Sequence, residues 1–364
     1  MPTALLRVWP QLGGRVARVT LGDFPTPIER LTRVESELAL GPLYVKRDDL
    51  SSSLYGGNKV RTLEVLFGLA RARGFDAITA VGAYGSNHAV ASVLHGPRVG
   101  LAADVLLFPQ PPSLAALENV RVSGALARVC EALPHWSFVP YAMWRARRAG
   151  RFVMAPGGAT PEGALGYVGA ALEVSEQIQS GKLERPREIV LGIGSCCTSA
   201  GLLVGLVLSA RLGIGPSEPP RLRSVRVSPW PVTSRARVLA LAAATSRLLA
   251  ELCGDPSLRL SRAELGPYLH IDPGELGAGY GRPTPRGREA ATLFERCAGP
   301  PLDTTYSAKS AAGFLRAARE SRGDPLLYWA TKSSAPLPIP NPTEAARTPL
   351  PIRRWIERAE RLLR

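Results

Sequence analysis

EIVLGIGSCCTSAGLLVG, residues 188–205, is the stretch whose reading decides the fold. After Glu188 it runs apolar to Ile193, as a strand covered on both faces must. Gly194, Ser195, Cys196, Cys197 and Thr198 interrupt the run. From 199 to 212 small and apolar residues continue at helix length. Strand, Gly/Ser loop and helix form the unit from which parallel sheets are assembled. The backbone N–H groups of such a loop cradle a phosphate, and the dipole of the following helix adds to the attraction. No Lys follows the glycines, so this is not a Walker A loop. The G-x-G-x-x-G spacing of dinucleotide sites is also absent. A monophosphate site fits.

The same alternation extends in both directions. Strands are predicted at 43–48, 77–82, 103–108, near 151–155, at 223–228 and at 325–330. Helices are predicted at 58–72, from about 86, at 163–179 and at 199–212. The fold class is therefore α/β, with a mainly parallel sheet covered by helices on both faces and ligands at the carboxyl ends of the strands. Residues 335–351 carry six prolines and read as a stiff spacer. Beyond it Ile352, Trp355, Ile356, Ala359 and Leu362 share one helical face, which is expected to dock on its own domain or on a second subunit.

At 364 residues, 45% hydrophobic and 21% charged, the chain has ordinary globular composition. No apolar run is long enough to span a bilayer, and no charged stretch followed by an apolar run marks a secretory signal. Five scattered cysteines without metal-type spacing predict a reduced, cytoplasmic protein with no metal site. The net charge of +15 comes from arginine, with only five lysines: Lys46, Lys59, Lys182, Lys309 and Lys332. The arginines are spread along the chain and no aromatic–basic motif is read beside them, so nucleic acid is not an expected partner. Where Arg is the default cation, a retained Lys points to a task that Arg cannot perform, such as losing its proton near neutral pH.

Two further stretches carry chemistry. In LYGGNKVRTLE (54–64), Lys59 follows Gly-Gly-Asn at the start of a helix. The glycines let a planar ligand approach, and the positive end of the helix favours the neutral amine that a Schiff base requires. In VGAYGSNHAVAS (81–92), a strand ends and Ser86-Asn87 opens a helix whose free N–H groups bind a carboxylate. Taken singly, each has a plainer reading: an exposed Lys, ordinary capping, and in His88 a structural histidine. Together with the phosphate loop they describe an amino acid held on pyridoxal phosphate.

Here the sequence resembles the D-cysteine desulfhydrase / 1-aminocyclopropane-1-carboxylate deaminase family, from PTPIERL (25–31) to LLYWATKSS (326–334). The matching pieces are KRDDL (46–50), GGNKVRTLE, GSNHA, APGGATPEGALGYVGAALE (155–173), the Gly/Ser loop, YGRPT (280–284) and LDTTYSAKSAAG (302–313). The resemblance implies the pyridoxal-phosphate fold type II (tryptophan synthase β-like), with two open parallel-sheet domains. Residues 1–54 plus 166–364 would form the large domain, including the 335–364 tail, and 55–165 a small inserted one. It implies a homodimer and a small amino-acid substrate. Lys59 would carry the cofactor, with Asn58 beside its ring. Gly194, Ser195, Cys196, Cys197 and Thr198 would surround its phosphate, and Ser307 or Thr331 would approach its ring nitrogen. Ser86, Asn87 and His88 would hold the substrate carboxylate, with Ser86 close to the reacting carbon. Tyr280 and Tyr306 would face the substrate.

Two positions favour the desulfhydrase branch: His88 where deaminases typically have Gln, and Ser307 where they have Glu. A hydroxyl holds a proton on the ring nitrogen less firmly than a carboxylate does. That suits loss of a thiolate better than opening of a cyclopropane, and the expected reaction is α,β-elimination to an α-keto acid, ammonia and sulfide. Ring opening and an impaired cofactor-binding homologue are the alternatives. Three departures touch the site: side chains at Cys196 and Cys197 where small residues are usual, Gly85 in place of a Gln, and Ala330-Thr331-Lys332-Ser333 in place of His-Thr-Gly-Gly. A side chain at Cys196 is expected to crowd the phosphate or redirect the loop.

Overall fold

The computed structural model describes residues 3–321 and 323–363. Ten strands form two sheets: β1 (Ile28–Arg30), β2 (Leu43–Lys46), β3 (Ala77–Ala83), β4 (Ala102–Phe108), β5 (Cys130–Ala132), β6 (Phe152–Val153), β7 (Glu188–Ile193), β8 (Arg221–Arg226), β9 (Leu269–Asp272) and β10 (Leu326–Trp329). The larger sheet has the order β1-β2-β10-β7-β8-β9 and the smaller β5-β4-β3-β6. All pairs are parallel except β1 with β2. The sheets are mainly parallel as expected, and at that one edge β1 and β2 run antiparallel with the short helix Thr32–Leu38 between them.

Period-two alternation in the larger sheet distributes side chains to two cores. Ile189, Leu191, Ile193, Leu327 and Trp329 face the helices Pro161–Gln179, Cys197–Arg211 and Arg235–Cys253. Val190, Leu326 and Tyr328 face the other side, where helices Pro285–Arg296 and Ser307–Glu320 pack. The smaller sheet is covered in the same way, by helices Lys59–Ala72, Asn87–His95 and Leu114–Leu126 on one face and by helix Val139–Arg148 on the other.

A buried ion cluster ties the two layers together. The Arg61 guanidinium donates to Asp48 (2.8 Å) and Glu173 (3.0 Å), while Lys46 Nζ donates to Glu173 (2.5 Å) and Gln177 (2.7 Å). Burial alone would raise the Asp48 pKa, but the Arg61 charge outweighs it and holds the carboxyl at about 2. Helix Pro161–Gln179 runs across residues 165 and 166, and Leu165, Tyr167 and Val168 pack into the larger sheet's core. The tail, assigned by sequence to the large unit, lies instead on the smaller sheet's layer. Ile352, Trp355, Ile356 and Leu337 join the cluster that contains Ile78 and Val105. Trp355 donates its indole N–H to the Gln110 carbonyl (3.1 Å) and meets the Tyr84 ring edge-on.

No helix among the described residues is long and apolar enough to cross a membrane. All five cysteines are free. The sequence reading finds no aromatic–basic motif, yet Trp136, Phe138, Tyr141 and Trp144 are exposed along 136–144. Tyr141 stacks on Trp144, and Arg148 lies over the Trp144 ring. In sequence the rings precede the arginines, and winding into a helix brings Arg148 back over Trp144.

Candidate functional site

Lys59 is the first residue of its helix, after Asn58. Its Nζ donates to the Gly157 carbonyl (3.2 Å). Desolvation lowers its pKa, and the nearby Cys197 thiol restores only part of the shift. Gly157 has a φ of +66°, and a Cβ there would come within 2.5 Å of the Ser195 Cβ. A glycine is thus required both by the backbone conformation and by the close approach of Lys59 and Ser195.

The Gly194–Thr198 loop closes over the same carbonyl, with Ser195 Oγ at 3.4 Å from Gly157 O. Asn58 spans the gap, its Nδ2 donating to Thr198 Oγ1 (3.0 Å) and its backbone N–H to the Thr331 carbonyl (2.9 Å). Cys196 has a φ of +73°, a left-handed conformation that costs a non-glycine residue about 1–2 kcal/mol. Cys196 Sγ turns to the Val232 carbonyl, while Cys197 Sγ points to the Gly158 carbonyl (3.3 Å), at the turn whose Gly157 carbonyl Lys59 holds. The first-turn N–H groups of helix Cys197–Arg211 are left to face the loop.

Ser86 caps helix Asn87–His95, accepting from Ala89 N (3.3 Å). Asn87 Oδ1 accepts from both Tyr55 Oη (3.0 Å) and Asn119 Nδ2 (2.8 Å), which fixes the amide with its Nδ2 hydrogens unspent. His88 is buried and neither ring nitrogen has a partner among the described residues. Desolvation, with Lys59 adding to it, pushes its pKa down to about 3, so the ring is neutral. It lies against the Gly158 turn, beside Lys59.

Tyr280 and Tyr306 meet hydroxyl to hydroxyl with their rings edge to face. Burial pushes the Tyr280 phenol up to about 12 and Tyr306 higher still, so both are protonated donors at neutral pH. Tyr306 approaches Gly194, which places the pair beside the Gly194–Thr198 loop. Lys309 Nζ donates to the carbonyls of Leu276 and Gly279 (2.9 Å each) and fixes the turn that carries Tyr280. Ser307 Oγ donates to Asp303 Oδ2 (2.7 Å) and accepts from Asp303 N (2.6 Å). The Thr331 side chain makes no hydrogen bond among the described residues, while its carbonyl holds Asn58.

One participant was not legible in the sequence. Gln110, beyond the end of β4, accepts from Gly85 N (2.9 Å) and leaves its Nε2 buried without a partner. A Cβ on Gly85 would strike this side chain at 2.9 Å, so Gln110 occupies the space that Gly85 vacates.

The pyridoxal-phosphate dependent enzyme family model matches residues 19–331. The chain belongs to that family. Among curated relatives of the family it is 32% identical over 332 residues to nocardicin C-9' epimerase of Nocardia uniformis subsp. tsuyamanensis, covering 88% of this chain and 94% of that one. It is 30% identical over 320 residues to D-cysteine desulfhydrase of Salmonella paratyphi C, covering 85% and 90%. A solved 1-aminocyclopropane-1-carboxylate deaminase homologue superposes with a TM-score of 0.72 at 28% identity, covering 91% of this chain and 95% of that one. The fold is that of the type II pyridoxal-phosphate enzymes.

The residues present fit the cofactor. A desolvated amine, a Gly/Ser/Thr loop at a helix N-terminus, and a buried imidazole whose two nitrogens have no partner among the described residues converge on the Gly157-Gly158 turn. Such orphaned polar groups are costly unless a ligand meets them.

Proposed function

We propose that this pyridoxal-phosphate enzyme catalyses α,β-elimination on a small amino acid of the D-cysteine type, giving pyruvate, ammonia and sulfide. The observation that carries the reading is the Lys59 amine, desolvated and without a carboxylate partner among the described residues. When bound, pyridoxal phosphate supplies a sink for the electron pair left at Cα. Lys59 would hold the group and, once the substrate's amine has displaced it, its neutral Nζ would take the α-proton. The N-terminal amides of helix Cys197–Arg211 bind the phosphate dianion, and Ser195 and Thr198 flank it. The open N–H groups of Asn87 and His88, with Asn87 Nδ2, bind the substrate carboxylate. Tyr280 and Tyr306 are protonated and bonded to each other, and the hydroxyl of the pair that does not donate to its neighbour donates to the departing sulfur. The Ser307 hydroxyl, or that of Thr331, would approach the ring nitrogen. We place the cleft between the units 1–54 plus 166–334 and 55–165, in a cytoplasmic homodimer.

Purified holoenzyme given D-cysteine is expected to release pyruvate and sulfide in equal amounts, and Lys59→Ala to lose both the cofactor's visible band and turnover. The epimerase relative gives a second outcome its meaning. Deuterium entering Cα from D2O with inversion, and without pyruvate, replaces elimination by epimerisation. Release of α-ketobutyrate from 1-aminocyclopropane-1-carboxylate replaces it by ring opening.

A further inference from the structure

Four of the five lysines in this arginine-rich chain sit at specific internal contacts, and Lys182 alone is exposed. Lys46 belongs to the ion cluster, Lys59 to the cofactor, and Lys309 to the Tyr280 turn. Lys332 has no such explanation. Its segment is pinned to the Lys59 loop: Gly57 and Lys332 pair as an isolated bridge, Asn58 N donates to the Thr331 carbonyl, and Gly56 N donates to Ser333 Oγ (2.9 Å). The half-buried ammonium lies 5.1 Å from the Tyr55 ring centroid and contacts Tyr55 Oη at 3.3 Å. Tyr55 Oη in turn donates to Asn87 at the carboxylate loop. No carboxylate pairs with Lys332 among the described residues, and two of its three N–H donors are unspent. The surrounding charge keeps it protonated: burial would lower its pKa, but Tyr55, Asp303 and Glu118 together raise it above the ordinary value.

We propose that Lys332 binds an anionic group on the substrate's side chain, so that the site favours a side chain that is an acid: the ionised thiol of a D-cysteine-type substrate in turnover, and the carboxylate of aspartate as a probe that cannot eliminate sulfide. This rests on the reading of the site as one for amino acids. The α-carboxylate already has its donors at Asn87 and His88, and Tyr55 stands between these and the ammonium. A cation there with unspent donors rewards a second anion and rejects a neutral isostere, because a charged hydrogen bond is lost with the wrong ligand.

The test is binding to holoenzyme, by calorimetry and by perturbation of the cofactor's absorption. Aspartate, asparagine and alanine are compared as D and as L enantiomers. Wild type should bind one aspartate enantiomer about tenfold or more tightly than the matching asparagine, the scale of one charge-assisted hydrogen bond. Lys332→Met should bring that ratio to near unity, and Lys332→Arg, which keeps the charge, should retain most of it. Absence of an aspartate preference in wild type overturns the assignment. So does a preference that survives in Lys332→Met. Equal weakening of all three amino acids in Lys332→Met overturns it too, because it assigns Lys332 to the α-carboxylate. If no amino acid binds or perturbs the cofactor, the amino-acid reading itself fails. If alanine binds without an aspartate preference, only the Lys332 assignment fails.

Discussion

Lys59 and His88 flank one glycine turn, and burial acts on both in the same direction, towards the neutral base. For His88 this carries a stability consequence with a definite sign. The unfolded ring titrates near its ordinary value of about 6.5 and the folded ring at about 3. Between these values the unfolded chain binds a proton that the folded chain refuses, so stability falls as the pH drops from about 6.5 towards 3. At pH 4.5 this ring alone should remove about 2–3 kcal/mol relative to pH 8. Urea midpoints for wild type and His88→Gln across this range isolate the effect. Parallel loss in the two proteins would show that His88 is not held neutral. Residue-scale legibility was uneven. Lys59, Ser86 and the Gly194–Thr198 loop announced themselves by local turn chemistry. Gln110 did not, because its role depends on a space left by Gly85, twenty-five positions away. Nor did the direction of the Cys196 side chain, because it follows from a positive φ that no sequence pattern reveals.

At the scale of elements, the Arg61 cluster determines where helix Lys59–Ala72 begins. One guanidinium bridges Asp48, just after β2, and Glu173, on helix Pro161–Gln179, two residues along from Lys59. Removing it leaves two buried carboxylates with only Lys46 to balance them. Arg61→Met is expected to destabilise the protein by about 3–5 kcal/mol. Arg61→Lys should recover little, because an ammonium cannot fork to two carboxylates. Chemical denaturation of the three proteins decides this, and a loss below about 1 kcal/mol for Arg61→Met would mean that the cluster does not hold the helix. The sequence located strands where both faces are buried: β7 was read over its full span because 189–193 is unbroken apolar residues and glycine. It missed β1, β5 and β9, which are three or four residues long and lie at sheet edges, too short for a period to register. It read β8 as 223–228, two residues late, because Arg221 and Arg223 open the strand. Arg223 is tolerated there because Glu188 (2.6 Å) and Asp272 (3.4 Å) pair with it.

At the scale of the whole molecule, the terminal helix Leu350–Leu363 connects the far end of the chain to the candidate site. Its apolar face was legible from Ile352, Trp355 and Ile356, but its docking place was not, since an amphipathic face does not specify its partner. On the folded chain Trp355 holds the Gln110 carbonyl and abuts Tyr84, while Gln110 holds the Gly85 N–H next to Ser86. The helix therefore buttresses from behind the Gly85–His88 loop, proposed to bind the substrate carboxylate, without touching Lys59 or the Gly194–Thr198 loop among the contacts seen. Trp355→Ala should cost about 2 kcal/mol, less than a fully buried Trp because this ring is only partly covered. Hydrogen exchange should accelerate over residues 84–88 and 108–120 and stay unchanged over 194–200. The KM should rise several-fold with little change in kcat, because the loop still reaches its bound position but must be ordered by the substrate. Removal of residues 349–364 should produce the same pattern more strongly. If kcat falls and KM does not, or if exchange accelerates at the phosphate loop as well, the helix stabilises the fold generally and has no specific hold on the carboxylate loop.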